Sequence, residues 1–351
     1  MSEKRKVAVR VPKRALDQTA PHDWSYELEA LGPIADIVEV EADTRAEFIE
    51  GIRDADAIMT TWGVRIDKET IGALRKCVVI GVGSVGVDMV DVAAATAAGI
   101  VVTNVPDVFI EEVADHAMML LLDAARMTSA MTRLAAEGRW LEGRQLLACR
   151  PRLLGQTLGM YGFGNVARCT ARRAKAFGLH LIAHDPYVSE LEITGAGVEP
   201  VGFGELLERS DFVSVHTPHN AETEQAFNAA AFSRMKSTAI LINTARGSIV
   251  DEHALIAALQ DGVIAGAGLD VLEKEPPEAG NPLLTMPNVV VTPHVASATT
   301  RMRPETRRRA GREVAMVLRG RWPLSCVNPS VLPRANLERW QPYPMNRGPS
   351  R

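Results

Sequence analysis

One stretch of small residues constrains the fold of this chain more than any other. Residues 157–167 contain a short apolar strand that ends in the turn Gly162-Phe163-Gly164, followed by an amphipathic run. A second apolar strand then begins at His180 and stops at Asp185. A strand, a helix and a second strand in this register predict a βαβ unit of a parallel sheet.

The residues of this unit are suited to a dinucleotide. Gly162 would form the tight turn, Gly164 would let the backbone approach a pyrophosphate, and Ala167 would keep the helix close to the sheet. The phosphates would lie on N–H groups at the helix N-terminus. Asp185 stands about 20 residues past the glycines, where a carboxylate accepts hydrogen bonds from the adenosine ribose and repels a 2′-phosphate. Because no arginine stands beside Asp185, the sequence favours NAD over NADP.

A second segment, from Gly81 to Gly86, also fits the pattern G-x-G-x-x-G. It follows an apolar strand at residues 78–82, but no strand that ends in an acidic residue follows at the right distance. We therefore expect this segment to be a loop with another task and not a second dinucleotide site.

Size and charge exclude several classes of protein. The 351 residues leave room for two domains, and a net charge of −4 gives no reason to expect nucleic acid or an anionic membrane as a partner. The sequence has no apolar signal segment and no apolar run that could span a bilayer, so we expect a cytoplasmic location. The four cysteines lack C-x-x-C spacing, which favours free thiols over disulfides or a zinc site, and we expect no bound metal.

Apolar and amphipathic runs alternate along the rest of the chain, which predicts parallel strands with helices between them. A first α/β unit closes near Val105-Pro106, and a second begins with the glycine-containing strand. The predicted fold class is α/β with two doubly wound parallel-sheet domains. The other predicted strands lie at residues 7–11, 34–40, 57–60, 78–82, 100–103, 212–216, 239–243, 265–271 and 289–292, and the early helices near 24–31, 45–53 and 90–98.

Three further segments lie outside this pattern. A long helix from Ile110 to Met131 is apolar on more than one face, which indicates burial between domains or in a subunit interface, and a polar stretch follows at residues 138–151. An arginine-rich helix at 301–319 invites a phosphate-binding interpretation, although a solvated helix face is the more frequent meaning of such a run. From about residue 331 the proline-rich tail lacks regular structure, and its aromatic residues suggest that it lies against the body of the protein or a neighbouring subunit.

Polar side chains follow three of the predicted strands of the second sheet. Arg246, Glu275 and His294 each come shortly after a strand, and ligands of open α/β sheets bind beyond the carboxyl ends of the strands. Each residue has an ordinary interpretation as well: a surface ion pair for Arg246, a charged turn for Glu275 and a strand cap for His294. Among the other histidines, His216 ends a strand and would line the cofactor cleft, whereas His116, His180 and His184 fit packed or half-exposed positions.

The motifs around these residues resemble the NAD-dependent D-2-hydroxyacid dehydrogenase family from about residue 80 to about residue 327. The segments that carry the resemblance follow the order of the family. They are Val102-Thr103-Asn104-Val105-Pro106 with Glu112-Val113-Ala114-Asp115-His116-Ala117, then Asn243-Thr244-Ala245-Arg246-Gly247, Asp270-Val271-x-x-x-Glu275-Pro276 and Thr292-Pro293-His294. One departure is Thr217-Pro218-His219-Asn220, where a Pro-Leu-Thr run is common in the family.

The resemblance implies a role for each matching residue. Arg246 would hold the substrate carboxylate and 2-oxo group, for which its planar fork is suited. His294 would exchange the proton, and Glu275 would fix its tautomer and favour the protonated ring. Asp270 would hold the nicotinamide carboxamide. The loop with Val85 and Gly86 would face the substrate carboxylate, and Trp62 is equally suited to the pocket wall and to the core.

The same resemblance implies a domain arrangement. A Rossmann-type NAD domain at residues 106–296 would be inserted into a flavodoxin-like substrate domain formed by 1–105 and 297–330, with an irregular tail at 331–351. The partners would be a small 2-oxo or 2-hydroxy acid and a second copy of the chain, and the lack of a further domain after the arginine-rich helix speaks against the longer phosphoglycerate dehydrogenases. NAD would contact Gly162, Phe163, Gly164, Asn165, Val166, Asp185, Pro186, His216, Thr217, Pro218, Thr244, Ala245, Arg246, Asp270 and His294, and the substrate would contact Trp62, Val85, Gly86, Arg246 and His294.

Two alternatives belong to other classes. The segments Asn104-Val105-Pro106, Glu111–Asp115 and Asp185–Ser189 are also similar to the carboxyl-terminal-binding-protein branch of the family, which binds NAD(H) and recruits peptide partners with little turnover. That branch can retain the catalytic residues, and we rank it second because no long partner-binding region is present. A Rossmann-type methyltransferase or epimerase would not explain why Arg, Glu and His all follow strands at one crevice.

Overall fold

The computed structural model of the chain describes residues 4–11, 22–60, 64–148, 150–332 and 335–340. The chain forms two compact units. The terminal unit consists of residues 1–108 and 299–351, and the central unit consists of residues 109–298. Each unit contains one sheet in which every pair of neighbouring strands is parallel.

In its described residues, the terminal unit has five strands in the order β2-β1-β3-β4-β5. This is the order of flavodoxin-like sheets, in which the chain reverses direction across the sheet beside β1. Gly81 in β4 has no side chain, and a Cβ there would overlap Val314, so helix α13 packs directly on this strand. The elements are β1 (Arg5–Val11), α1 (Ser25–Leu31), β2 (Ala35–Glu41), α2 (Arg45–Ile52), β3 (Ala57–Thr60), α3 (Lys68–Gly72), β4 (Val79–Val82), α4 (Val92–Ala97), β5 (Val101–Thr103) and α13 (Met302–Leu318).

The central unit has seven strands in the order β12-β11-β10-β9-β6-β7-β8. The chain leaves β6 in one direction through β7 and β8 and then returns to β9 on the other side of β6, which is the doubly wound topology of dinucleotide-binding sheets. The predicted α/β fold class is thus confirmed. The elements are α5 (Ile110–Arg126), α6 (Thr128–Ala136), α7 (Trp140–Ala148), β6 (Thr157–Tyr161), α8 (Asn165–Ala176), β7 (His180–His184), α9 (Glu190–Gly195), β8 (Glu199–Pro200), α10 (Phe203–Arg209), β9 (Phe212–Val215), α11 (Ala229–Arg234), β10 (Ile240–Asn243), α12 (Glu252–Gln260), β11 (Gly266–Leu269) and β12 (Val289–Val291).

Two apolar cores hold this sheet between helices. One is built around Phe227, Phe232 and Leu241 with residues of α10, α11 and α12. The other contains Leu120 and Leu121 of α5 together with residues of α8. With helices on both faces the inner strands β9, β10 and β11 are buried, and the carboxyl edge of the sheet is the place where loops can gather around a ligand.

The predicted long helix from Ile110 to Met131 is wrong in one respect. The helix ends at Arg126, because Met127 has left-handed backbone angles with φ of +51°, and a separate helix, α6, begins at Thr128. Part of the polar stretch at 138–151 is also helical, as α7. The short elements α3 and β8 were not predicted.

Two arginines of helix α13 are bound to helix α1 and so do not belong to a plain solvated face. Arg307 binds both carboxylate oxygens of the buried Glu27 at 2.6 Å, and Arg308 binds Glu29 at 3.0 Å. Both guanidinium groups also lie over the ring of Tyr26, at 5.0 and 4.6 Å from its centroid. These arginines therefore fasten α1 to α13 within the terminal unit.

The tail and two other predictions fall partly outside the described residues. In the described part of the tail, the indole N–H of Trp340 donates to the carbonyl of Trp322 at 2.8 Å, so this segment lies against the chain that follows α13. Trp62 and Cys149 lie outside the described residues. The other three cysteines are free, and none of the described helices is long and apolar enough to cross a bilayer.

Candidate active site

The glycine turn lies at the carboxyl end of β6, where the strand order of the central sheet reverses. Gly162 has φ of +91°, and a Cβ at this position would lie 2.8 Å from the backbone nitrogen of Thr217 and 2.9 Å from the carbonyl carbon of His216. Both the backbone angle and the close approach of the loop after β9 require glycine. The turn after β6 and the loop after β9 therefore border the crevice at the switch point and are in contact at Gly162.

The N-terminus of α8 offers backbone donors at the same point. The helix begins after Gly164 and has no side-chain cap, whereas α9 and α12 are capped by Ser189 and Asp251. Asn165 and Gly164 are exposed, and no atom lies within 4 Å of a Cβ built on Gly164. An uncapped helix N-terminus with open space beside it suits the pyrophosphate of a dinucleotide.

Asp185 follows β7 and lies against the glycine turn. Its Oδ2 accepts the N–H of Phe163 at 2.8 Å, and its Oδ1 accepts the N–H of Tyr187 at 2.9 Å. Phe163 is fully buried, so its ring packs in the core below the turn. Val166 and Pro186 complete this corner, half-buried and exposed respectively. The carboxylate is held where an adenosine ribose would lie above the turn.

His216 and Thr244 mark the continuation of the crevice along β9 and β10. Burial lowers the pKa of His216 to about 4, and its Nε2 is 2.9 Å from the hydroxyl of Ser214, so the ring is neutral at pH 7. Thr217 and Pro218 follow, and the carbonyl of Pro218 accepts the hydroxyl of Thr223 at 2.8 Å. The buried hydroxyl of Thr244 has no hydrogen-bond partner among the described residues. Such an unsatisfied group at the crevice is the feature that a bound cofactor would complete.

Arg246 is placed by a tight turn after β10. Asn243 shapes this turn, since its side chain accepts the N–H of Ala245 at 3.0 Å and donates to the carbonyl of Arg246 at 2.9 Å. A Cβ at Gly247 would overlap the carbonyl of Leu272. The arginine turn is therefore pressed against the loop that carries Glu275.

His294 and Glu275 form a hydrogen-bonded pair. The distance from Nδ1 of His294 to Oε2 of Glu275 is 2.6 Å, and Oε1 of Glu275 accepts the N–H of Leu272 at 3.1 Å. A carboxylate only accepts hydrogen bonds, so Nδ1 carries a proton and Nε2 is the ring nitrogen on the side away from Glu275. The side chains are 31% and 22% exposed, which leaves the pair open to a substrate.

The backbone of His294 is in the left-handed region, with φ of +52°, and Asp270 holds it there. The carbonyl of Asp270 accepts the N–H of His294 at 2.8 Å. The carboxylate of Asp270 accepts the hydroxyl of Thr292 at 2.6 Å and the N–H groups of Val295 and Ala296 at 2.9 and 2.8 Å. The loop from Thr292 to Ala296 is thus wrapped around one buried side chain.

A fourth donor to Asp270 was not predicted from the sequence. Nε2 of His116, on α5, lies 3.3 Å from Oδ1 of Asp270 and 2.8 Å from the hydroxyl of Thr292. Burial would raise the pKa of Asp270, but the hydrogen bonds from His116, Thr292 and the backbone lower it to about 2. The sequence signal was the Asp115-His116 pair in a family motif, which alone does not distinguish a packed histidine from a bonded one.

The second G-x-G-x-x-G segment belongs to the terminal unit and has a different structure. A loop and not a helix follows β4, up to the short helix α4. The hydroxyl of Ser84 donates to the carbonyl of Gly86 at 2.7 Å, and Asn104 donates to the carbonyl of Val85 at 2.7 Å. The side chain of Val85 is exposed.

Comparison with known proteins agrees with this description. Residues 118–296 match the family described as D-isomer specific 2-hydroxyacid dehydrogenase, NAD binding domain. A glyoxylate reductase of Korarchaeum cryptofilum is 38% identical over 93% of this chain and 96% of its own length. A D-3-phosphoglycerate dehydrogenase of Methanocaldococcus jannaschii is 37% identical over 90% of this chain, which spans only 60% of the length of that relative.

Solved structures give the same result. The NADPH-dependent glyoxylate/hydroxypyruvate reductase of Sinorhizobium meliloti, solved with NADP and malonate, has a TM-score of 0.78 and 34% identity over 94% of this chain and 98% of its own. The D-mandelate dehydrogenase of Rhodotorula graminis has a TM-score of 0.82 and 25% identity over 92% of this chain and 97% of its own. The chain belongs to the D-2-hydroxyacid dehydrogenase family of oxidoreductases that use a nicotinamide dinucleotide.

Proposed function

We propose that this protein reduces a small 2-oxo acid to the D-2-hydroxy acid with NADH, and catalyses the reverse reaction with NAD. The observation that carries the proposal is the pair formed by His294 and Glu275 at 2.6 Å. This pair stands on the same edge of the central sheet as the turn of Arg246 and the uncapped N-terminus of α8. An acid/base group, a carboxylate-binding group and a dinucleotide cradle at one edge are the parts that the reaction requires.

The residues of the central unit fit the cofactor. The N–H groups at the start of α8 would hold the pyrophosphate, Asp185 the adenosine ribose, and Thr244 and Asp270 the part nearer the nicotinamide. When bound, the nicotinamide supplies or accepts the hydride. Asp185 disfavours a 2′-phosphate by charge, so we propose NAD in preference to NADP, in contrast to the NADPH-dependent reductase of S. meliloti.

His294 moves the proton in this proposal. With Nδ1–H held by Glu275, the ring takes up a second proton on Nε2 from solvent, donates that proton to the substrate oxygen as the oxygen gains negative charge, and returns to the neutral Nδ1–H form. Glu275 keeps the tautomer fixed and stabilises the imidazolium that donates. His216 cannot replace it, because burial lowers the pKa of His216 to about 4 and keeps the ring neutral.

Arg246 binds the substrate in this proposal. Its guanidinium offers paired donors to the carboxylate and to the 2-oxo group, and it stabilises the developing oxyanion. Its place in the fold supports this role, because the Asn243 turn and the contact of Gly247 with Leu272 fix the backbone on both sides of it.

We further propose that the central unit is the NAD-binding domain and the terminal unit the substrate domain. Val85 and Gly86 would then supply backbone N–H groups to the substrate carboxylate, and Trp62 would border the pocket. The active form would be a homodimer. The names of the relatives, glyoxylate reductase and glyoxylate/hydroxypyruvate reductase, suggest a substrate with a short side chain.

The test is the loss of NADH absorbance with a panel of 2-oxo acids that differ only in side chain: glyoxylate, hydroxypyruvate, pyruvate, a branched member and an aryl member. We expect turnover that falls as the side chain grows, and a higher kcat/KM with NADH than with NADPH. Tight NADH binding without turnover of any member of the panel would refute the proposal.

A further inference from the structure

His116 is a polar residue of α5 to which the proposed mechanism gives no task. Its side chain is only 16% exposed, and it faces Asp270, whose side chain is 1% exposed. A histidine turned toward a buried carboxylate is costly to keep unless its hydrogen bond matters for folding or function.

The packing of α5 on the sheet explains how His116 reaches this position. A Cβ on Gly268 of β11 would lie 3.0 Å from Cβ of Leu120, so glycine lets the helix approach the strand closely. His116 precedes Leu120 by one helical turn, about 6 Å along the helix, and Asp270 follows Gly268 by two strand residues, about 6.6 Å along the strand. These two distances along the helix and along the strand are nearly equal. The ring of His116 therefore lies beside the carboxylate of Asp270 at the carboxyl edge of the sheet.

The hydrogens at this point can be assigned by counting. Asp270 is ionised, because its pKa is lowered to about 2, so the hydroxyl proton of Thr292 goes to Oδ1 at 2.6 Å. The hydroxyl oxygen of Thr292 must then accept from Nε2 of His116, 2.8 Å away. His116 therefore carries its proton on Nε2, and this N–H is aimed at Thr292 and, at 3.3 Å, at Asp270.

The acceptor positions of Asp270 show what this donor does. Among the described residues, Oδ1 accepts from Thr292, Val295 and His116, whereas Oδ2 accepts from Ala296 alone. Three donors on Oδ1 prevent rotation of the carboxylate. The second lone pair of Oδ2 therefore keeps a fixed orientation. The same carboxylate holds the loop on which His294 stands.

We infer that His116 is a positioning residue of the reaction: its Nε2–H locks Thr292 and Asp270, and through them the orientation of His294 and of the nicotinamide end of the cofactor site. The inference rests on the proposed function. His116 touches neither substrate nor cofactor in this scheme. Its loss should lower kcat far more than it weakens NADH binding, because the glycine turn and Asp185 hold the other end of the cofactor.

Four variants test the role by steady-state kinetics and by NADH binding measured from fluorescence. His116→Phe keeps the ring volume without a donor, and we expect kcat to fall about 10- to 100-fold, the usual effect of losing a hydrogen bond to a charged group, while the Kd for NADH changes less than about threefold. His116→Gln keeps an N–H donor, and we expect kcat within about fivefold of the wild-type value. Thr292→Val should lower kcat to the same extent as His116→Phe. The double variant, His116→Phe with Thr292→Val, should have a kcat no lower than that of either single variant.

His253→Phe is the matched control, because His253 is exposed on α12, and its kcat should not change. A His116→Phe variant with wild-type kcat would overturn the inference. A His116→Gln variant as impaired as His116→Phe would do the same, since ring packing and not the donor would then be responsible.

The tautomer can be measured without turnover. In protein labelled with ¹⁵N-histidine, the ring signals that disappear in His116→Gln belong to His116, and they should show a proton on Nε2. An Nδ1–H ring would overturn the inference. A wild-type protein that reduces no 2-oxo acid would refute the proposed function and the positioning role with it, while the tautomer would still decide whether His116 is the donor to Thr292.

Discussion

Asp185→Asn offers a quantitative test of how this protein would choose its cofactor. The substitution removes one negative charge and keeps the shape of the side chain. Two unit charges about 5 Å apart repel by about 1 kcal/mol in water and by about 3 kcal/mol at an effective dielectric constant of about 20. Because Asp185 is half-buried, we expect removal of the charge to favour NADPH by about 1–3 kcal/mol relative to NADH, or roughly 5- to 150-fold.

The same substitution should also weaken the binding of NADH. Both carboxylate oxygens of Asp185 accept backbone N–H groups, from Phe163 and from Tyr187. An asparagine has one carbonyl oxygen, so one of these donors loses its partner, at a cost of about 1–2 kcal/mol. The ratio of kcat/KM for NADPH to that for NADH is therefore the quantity to measure, and either value alone would mislead.

Glu190→Gln serves as the control, because Glu190 is an exposed acid five residues further on, and its loss changes the net charge equally. The ratio should not change in this variant. An unchanged ratio in Asp185→Asn would show that another residue selects the cofactor. An equal shift in both variants would point to the overall field of the protein and not to a local contact.

Three other predictions concern the proton, the substrate and stability. His294→Ala should abolish turnover while NADH still binds with near wild-type affinity by fluorescence titration; near-full activity would show that another group moves the proton. Arg246→Ala should raise KM for the 2-oxo acid by about 100-fold or more, because a paired ionic contact is lost, with the Kd for NADH changed little; an unchanged KM would remove Arg246 from substrate binding. His216 has a folded-state pKa lowered to about 4 from 6.5, so its neutral form contributes stability that is fully present above about pH 6.5 and is lost as the pH falls toward 4, because the unfolded chain takes up the proton first. Urea unfolding should show a loss of about 2–3 kcal/mol from this group between pH 7 and pH 4.5, and His216→Gln should reduce that loss; an identical pH dependence in both proteins would contradict the argument.

The parts of the site that depend on short-range spacing could be predicted from the sequence. Gly162, the helix after Gly164 and Asp185 lie within one βαβ unit, so local chain geometry fixes their relation. Arg246, Glu275 and His294 follow three neighbouring strands, and parallel pairing places Asn243 beside Leu269 and Leu269 beside Val291.

Contacts between distant elements could not be predicted in this way. His116 is 176 residues from Thr292 in the chain, and Arg307 is 280 residues from Glu27. Before the helices pack, each of these side chains could pair with many other residues. The break at Met127 is a different case, because methionine is a good helix former and nothing in its identity predicts a left-handed residue. The pairing of His294 with Glu275 was expected only from family resemblance, and its geometry required the structure.

The contact of Gly247 with Leu272 limits how this protein can be redesigned. No side chain can be added at position 247 without separating the backbone of the arginine turn from that of the glutamate loop. A library aimed at new substrates would therefore lose most of its folded members if it varied this position. Diversity is better placed in the exposed residues of the loop after β4, such as Val85, where a larger side chain meets solvent instead of a fixed carbonyl.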